Sequence, residues 1–99
     1  MGARKTTVYI SGAVSGTIDY QERFHLASKR LARLDYIPID PCALPHDHGL
    51  SYEEYMKEDL KALLCCDRIY MIPGWEESRG ARFELATARI SGIKEIELD

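Results

Sequence analysis

The run Thr6-Thr7-Val8-Tyr9-Ile10-Ser11 passes directly into Gly12-Ala13-Val14-Ser15-Gly16, and this junction sets the class of fold. β-branched and aromatic residues favour a buried strand, and a loop holding two glycines ends it. Just beyond, Tyr20, Phe24, Ala27, Leu31 and Leu34 recur at steps of 4, 3, 4 and 3 among charged residues, the period of a helix with one apolar face. Asp19 stands at its N-cap position. Tyr36-Ile37-Pro38-Ile39 is a short second strand, and Pro38, which offers a sheet no N–H, places it at an edge.

The same alternation continues downstream. After an irregular loop from Asp40 to Leu50, Ser51 and Glu54 have the spacing of a capping box, and Tyr52, Met56, Leu60, Leu63 and Leu64 form the apolar face of a second helix. Arg68 to Ile72 is a third strand ended by Pro73-Gly74. Ser78 caps a third helix carrying Ala81, Leu85 and Ala88, Gly92 stops it, and Ile93 to Leu98 alternates as a fourth strand at a sheet edge. With right-handed crossovers, the order β-α-β-α-β-α-β predicts an α/β fold: a doubly wound, Rossmann- or flavodoxin-like, mostly parallel four-stranded sheet with helices on both faces. It is expected as a single small domain over residues 1–99. In such sheets ligands sit outside the carboxyl ends of the strands, so the loops after Ser11, Asp40 and Ile72 should converge on one site.

Composition narrows the function. With 45% hydrophobic residues the chain can fill a core without disulfides or a metal. A net charge of -3 repels phosphate backbones, which argues against a nucleic acid polymer as partner. No apolar run has the length of a membrane span and no secretory signal opens the chain, so a cytoplasmic location and no membrane partner are expected. The adjacent Cys65 and Cys66 lack metal or disulfide spacing and are expected to be reduced, small core residues. Gly12-x-x-x-Gly16 is neither a dinucleotide fingerprint, which would need glycine at Val14, nor a phosphate-binding loop with its lysine. No cofactor is therefore expected. His46-Asp47-His48 makes a poor chelate on a loop without a third fixed ligand, so no metal is expected either.

Two acids fall where apolar residues belong. Asp59 lies between Met56 and Leu63, and Glu84 between Ala81 and Ala88, so each borders or shares the inward stripe of its helix. Such a carboxylate either reaches solvent or an arginine such as Arg82 or Arg89, or it has a chemical task. Glycine at 80 and alanine at 81 let a ligand approach the start of the third helix. Trp75 either walls a site for a flat ring or covers the sheet end, and Tyr9, near the end of the first strand, either hydrogen-bonds a carboxylate or is a core tyrosine.

Taken together, Tyr9-Ile10-Ser11-Gly12, Tyr36-x-Pro-Ile-Asp, Tyr55-Met56-x-x-Asp59-Leu60, Cys66-Asp67-x-Ile-Tyr and Trp75-x-x-Ser78-x-Gly80-Ala81-x-x-Glu84 resemble the nucleoside 2-deoxyribosyltransferase-like superfamily. They are most similar to its small phage and bacterial members of unknown function, near the 2′-deoxynucleoside 5′-monophosphate N-glycosidases. The resemblance implies that Glu84 is the nucleophile at C1′ of a 2′-deoxyribosyl unit, that Asp59 handles the departing base, and that Tyr9 orients the nucleophile. It implies substrate binding by Ser11, Gly12, Ser15, Trp75, Ser78 and Gly80. Ser78 stands where classical transferases carry an aspartate and the N-glycosidase branch a phosphate-binding serine, while Ala13 and Ser15 replace that branch's first-loop serine and arginine. A small nucleoside or nucleotide is the implied partner, homo-oligomerisation the implied assembly, and hydrolysis or deoxyribosyl transfer the implied reaction. The alternative is a non-catalytic nucleotide-binding or sensing module on the same fold. If Glu84 is the nucleophile, activity should fall at acid pH as it takes up a proton; a rate rising steadily down to about pH 3 would contradict the assignment.

Overall fold

The protein is described by a computed structural model that covers residues 5–14, 19–44 and 49–98. β1 (Thr7–Ser11), α1 (Tyr20–Arg33), β2 (Ile37–Ile39), α2 (Tyr52–Leu64), β3 (Arg68–Met71), α3 (Arg79–Ile90) and β4 (Lys94–Ile96) follow one another, with short 3-10 turns at Pro41–Ala43 and Trp75–Glu77. The four strands lie in the order β2-β1-β3-β4 and every pairing is parallel. The chain thus begins in the middle of the sheet, steps outward to β2, and returns past β1 to β3. That reversal opens a crevice at the carboxyl ends of β1 and β3, where doubly wound sheets bind ligands.

Strand alternation sorts the core into two layers. Val8 and Ile10 of β1, with Tyr70 and Ile72, pack on one face against Phe24, Ala27 and Leu31 of α1. Tyr9, Ile69 and Met71 pack on the other face against Leu63 of α2 and Ala81, Leu85 and Ala88 of α3. Tyr9 and Ser11 are therefore committed by the period of two to the face that α2 and α3 cover. At the opposite end of the sheet, the backbone N–H and the Oγ1 of Thr7 both donate to Asp67 Oδ2 at 3.0 Å, and the Asp67 N–H donates back to Thr7 Oγ1 at 3.0 Å. This reciprocal clasp fixes the register in which Val8 lies beside Arg68 and Ser11 beside Met71.

Helix starts follow the capping residues. Ser51 and Glu54 form the expected box, Ser51 Oγ accepting from the Glu54 N–H while Glu54 Oε1 accepts from the Ser51 N–H. Asp19 occupies the N-cap of α1 without a side-chain cap bond. The apolar stripes run past the sheet: Leu34, Tyr52 and Leu64, expected on buried faces, are exposed because each lies at a helix end beyond the strands it would cover. The expectation of two buried cysteines is corrected at Cys65, which is the exposed C-cap of α2. Cys66 alone turns inward, its thiol donating to the Ala62 carbonyl at 3.2 Å. No helix among the described residues is long and apolar enough to cross a membrane.

Asp67→Ala removes the acceptor of two Thr7 donors in a half-buried setting. The expected loss is about 1–3 kcal/mol, read as a fall in Tm of roughly 4–8 °C for each kcal/mol in a domain of this size. A thermal midpoint unchanged by the substitution would contradict the clasp.

Candidate active site

β1 and α3 meet at one carboxylate. Glu84 is only 6% exposed, although it is charged in water and sits on the core-facing side of α3 with Ala81, Leu85 and Ala88. Tyr9 Oη donates to its Oε2 at 2.7 Å, and Ser11 Oγ donates to its Oε1 at 2.6 Å. Both donors are themselves fully buried. Two residues along a strand advance about 6.6 Å on one face, so Tyr9, with its long ring, and Ser11, with its short arm, reach the two oxygens of the same group from neighbouring positions. Each oxygen keeps lone-pair capacity for a further contact.

That carboxyl group borders a cavity of about 440 Å³, which lies in the size range of small-molecule sites. Its floor is Gly12 and Glu84 at the sheet end, its α2 side carries Asp59, and its α3 side carries Ser78, Gly80 and Ala81. The floor is tight: a Cβ at Gly12 would stand 3.0 Å from the Ile72 Cβ, so only glycine lets the loop after β1 cross the end of β3 here. Ser78 Oγ accepts the Ala81 N–H at 3.1 Å as the cap of α3, which leaves its hydroxyl proton available to an occupant of the cavity.

Electrostatics follow from burial. Loss of water pushes the Glu84 carboxyl up; the Ser11 and Tyr9 hydroxyls pull it back and the nearby Asp59 charge pushes it up again, leaving it at about 7. Burial and the facing Glu84 charge hold the Tyr9 hydroxyl far above its ordinary range, so it remains a donor at any working pH. Burial also raises the Cys42 thiol at the cavity wall to about 12, with Asp40 and Asp59 contributing, so it stays protonated.

The sequence-selected residues separate into groups. Tyr9, Ser11 and Glu84 form one hydrogen-bonded cluster, and Glu84 shares the cavity lining with Gly12, Asp59, Ser78 and Gly80. Neither Arg82 nor Arg89 meets Glu84; Arg89 pairs with Glu95 on β4. Trp75 does not line the cavity. Its turn closes through the Trp75 N–H on the Ile72 carbonyl and the Ser78 N–H on the Trp75 carbonyl, and the indole packs on the core beneath α3. Ser15 and the cluster His46-Asp47-His48 lie outside the described residues. The aromatic walls come instead from Tyr20 and Phe24 of α1 and Tyr52 and Tyr55 of α2, with Gln21 and Cys42 beside them. The signal for Tyr20 and Tyr52 was their place in the first turns of α1 and α2, which helical periodicity alone credits to the core; Phe24 keeps its core position and borders the cavity as well.

A protein-family model described as a domain of unknown function (DUF4406) matches residues 6–96. No curated protein matches. Among solved structures, a 2-deoxyribosyltransferase from the psychrotolerant bacterium Bacillus psychrosaccharolyticus, described as a biocatalyst for the synthesis of antiviral and antitumoral nucleosides, is similar. It aligns with a TM-score of 0.71 over 90% of this chain and 69% of its own, at 21% sequence identity. At that identity the likeness establishes a shared fold.

The raised carboxyl also makes stability depend on pH. An unfolded glutamate releases its proton near 4.5 and the folded one near 7, so the stability that this proton contributes is complete below pH 4.5 and lost as pH rises through 7. The difference is worth about 3 kcal/mol. Glu84→Gln, neutral throughout, should unfold at a similar temperature to the parent at pH 4.5 and at a clearly higher one at pH 8. Parallel stability curves for the two proteins between these pH values would contradict the assignment.

Proposed function

This chain belongs to the DUF4406 family, and from that premise we propose that it cleaves the N-glycosidic bond of a 2′-deoxynucleoside or its 5′-monophosphate, with Glu84 as nucleophile. One observation carries the reading: a buried carboxylate held at both oxygens by the Tyr9 and Ser11 hydroxyls, on the wall of a cavity that also contains Asp59. A carboxylate with only a structural role would be satisfied by its two donors and closed off; this one faces open space of nucleoside size. The shared fold with a 2-deoxyribosyltransferase and the sequence resemblance point to the same chemistry.

In this reading ionised Glu84 attacks C1′ from the face opposite the base. The new bond is a glycosyl ester; the bond that breaks is C1′–N, whose electron pair leaves with the base. The base takes its proton from Asp59 or from a water that Asp59 holds. Tyr9 and Ser11 keep the two oxygens fixed, so little reorganisation is needed as the carboxylate approaches the sugar. In the second half, water attacks C1′ to give a hydrolase, or a second base attacks to give a transferase, and Glu84 is released as a carboxylate. Two displacements leave the configuration at C1′ retained. Ser78, matching the serine of the N-glycosidase branch, favours hydrolysis of a nucleotide.

Base release from a panel of 2′-deoxynucleosides and their 5′-monophosphates, followed by chromatography, tests the proposal. Glu84→Ala should lose at least about a thousandfold in kcat, in the manner of other lost nucleophiles; full retention would refute the reading. Binding without release by the parent protein would turn the assignment to a nucleotide-binding module. For the parent, kcat/KM should rise with pH through about 7, the value at which free Glu84 ionises. Tyr9→Phe deletes one donor that favours the ionised form, so its acid limb should move upward by about one pH unit or more, with the largest loss of rate below pH 7. An unmoved limb would mean that the Tyr9 contact does not act on Glu84.

A further inference from the structure

The α1 wall of the cavity begins before that helix is anchored. Phe24, Ala27 and Leu31 fix α1 to the sheet through the apolar layer. Tyr20 and Gln21, which also line the cavity, lie upstream of the first of these contacts. The usual device for holding a helix start is missing, since Asp19 makes no side-chain cap bond. One polar contact serves that end instead: Arg23 Nη2 donates to the Pro73 carbonyl at 2.5 Å. Among the described residues Arg23 forms no ion pair, so this backbone oxygen is the partner that its guanidinium holds.

The oxygen it takes is one that the turn after β3 leaves over. There the Trp75 N–H closes on the Ile72 carbonyl at 3.1 Å, the Glu77 N–H on the Gly74 carbonyl at 3.2 Å and the Ser78 N–H on the Trp75 carbonyl at 2.9 Å. The Pro73 carbonyl receives no backbone N–H among the described residues. Gly74 turns the chain at a φ of 96°, and a Cβ there would stand 3.6 Å from Arg23 Nη2, so the guanidinium lies against the bend itself. This turn ends at Ser78, which caps α3 and lines the cavity with Gly80, Ala81 and Glu84. Because α1 and α3 pack on opposite faces of the sheet, Arg23 joins the start of one to the approach to the other across the sheet's carboxyl end.

We propose that Arg23 is a positioning residue for the site: it holds the first turn of α1 against the β3–α3 turn and so fixes the spacing between the Tyr20–Gln21 wall and the α3 wall. This rests on the reading of the cavity as a nucleoside or nucleotide site and adds the contact that sets its width. Substrate is gripped between these walls, whereas the reacting carboxylate is held separately, by Tyr9 and Ser11. Loss of the Arg23 contact should therefore weaken the bound ground state and the transition state alike, which raises KM and spares kcat.

Calorimetric titration of the Glu84→Gln protein with the four common 2′-deoxynucleosides and their 5′-monophosphates, beside base release by the parent, tests this. Adding Arg23→Gln should weaken the tightest of these ligands about tenfold, and in the active protein raise KM by a similar factor with kcat within about twofold of the parent. Arg23→Lys keeps a charged donor without the planar fork and should lie between, about threefold weaker than the parent. The acid limb of kcat/KM should not move. Trp75, the single tryptophan, sits two residues beyond Pro73, so acrylamide should quench its fluorescence more readily in Arg23→Gln. The contact is exposed, so the variant should fold; if it does not, Arg23→Lys carries the test, and parity of its affinity with the parent overturns the proposal. Unchanged affinity in Arg23→Gln, whatever its Tm, would mark a merely structural contact. A displaced acid limb, or a fall in kcat as large as the rise in KM, would route the effect through Glu84; either result overturns the proposal, as does Arg23→Lys binding no better than Arg23→Gln. The expected order of affinities with no base release from the parent would leave the Arg23 assignment standing and refute the glycosidase reading. Base release with affinity indifferent to Arg23 would do the reverse, and binding of no ligand would overturn both.

Discussion

A carboxyl group that is nine-tenths enclosed by protein must be neutral, or be answered by donors that are enclosed with it. Glu84 is answered by Tyr9 and Ser11, and the rest of the molecule arranges that meeting. The donors share a strand face because β1 alternates; that face meets α3 because the crossover from β3 to β4 passes over it. The clasp of Thr7 and Asp67 at the far end holds β1 and β3 in the register that brings Ser11 beside Met71. A slip of one residue would turn Val8 and Ile10 toward Glu84 and send both hydroxyls to the α1 side.

The same contact sets a conflict between folding and reactivity. Two hydroxyls lower the proton affinity of Glu84 but do not cancel the effects of burial and of Asp59, so the folded chain is most stable with the group neutral and most nucleophilic with it charged. Near neutral pH the protein lies between these conditions. Under the proposed reading, that tension is the cost of keeping a reactive carboxylate in the site. The distribution of charge around the site has a related logic. Acids gather where carbon–nitrogen cleavage would require an anion and a proton donor.

Much of this was legible locally. Capping at Ser51 and Ser78, the strand at Thr7–Ser11 and the edge position of Pro38 are short-range signals, and they appear in the fold within a residue or two of expectation. Asp59 and Glu84 stood out because a charge interrupted an apolar period. Less legible was whatever depends on two elements meeting. Tyr20 and Tyr52 have the spacing of core residues, but they stand in the first turns of α1 and α2 and line the cavity. The sequence leaves Trp75 either a wall of the site or a cover for the sheet end, and a single turn folds it onto the core. Composition alone puts both Cys65 and Cys66 in the core, but Cys65 is the exposed C-cap of α2 and only Cys66 is buried.

If Glu84 becomes covalently bonded to the sugar, the bond is seen most directly by mass spectrometry of protein quenched in acid during turnover of a 2′-deoxynucleoside 5′-monophosphate. The intact chain should gain the mass of a deoxyribosyl phosphate, and after digestion the added mass should map to the peptide containing Glu84. Turnover without any adduct, or an adduct on another residue such as Asp59, would contradict it.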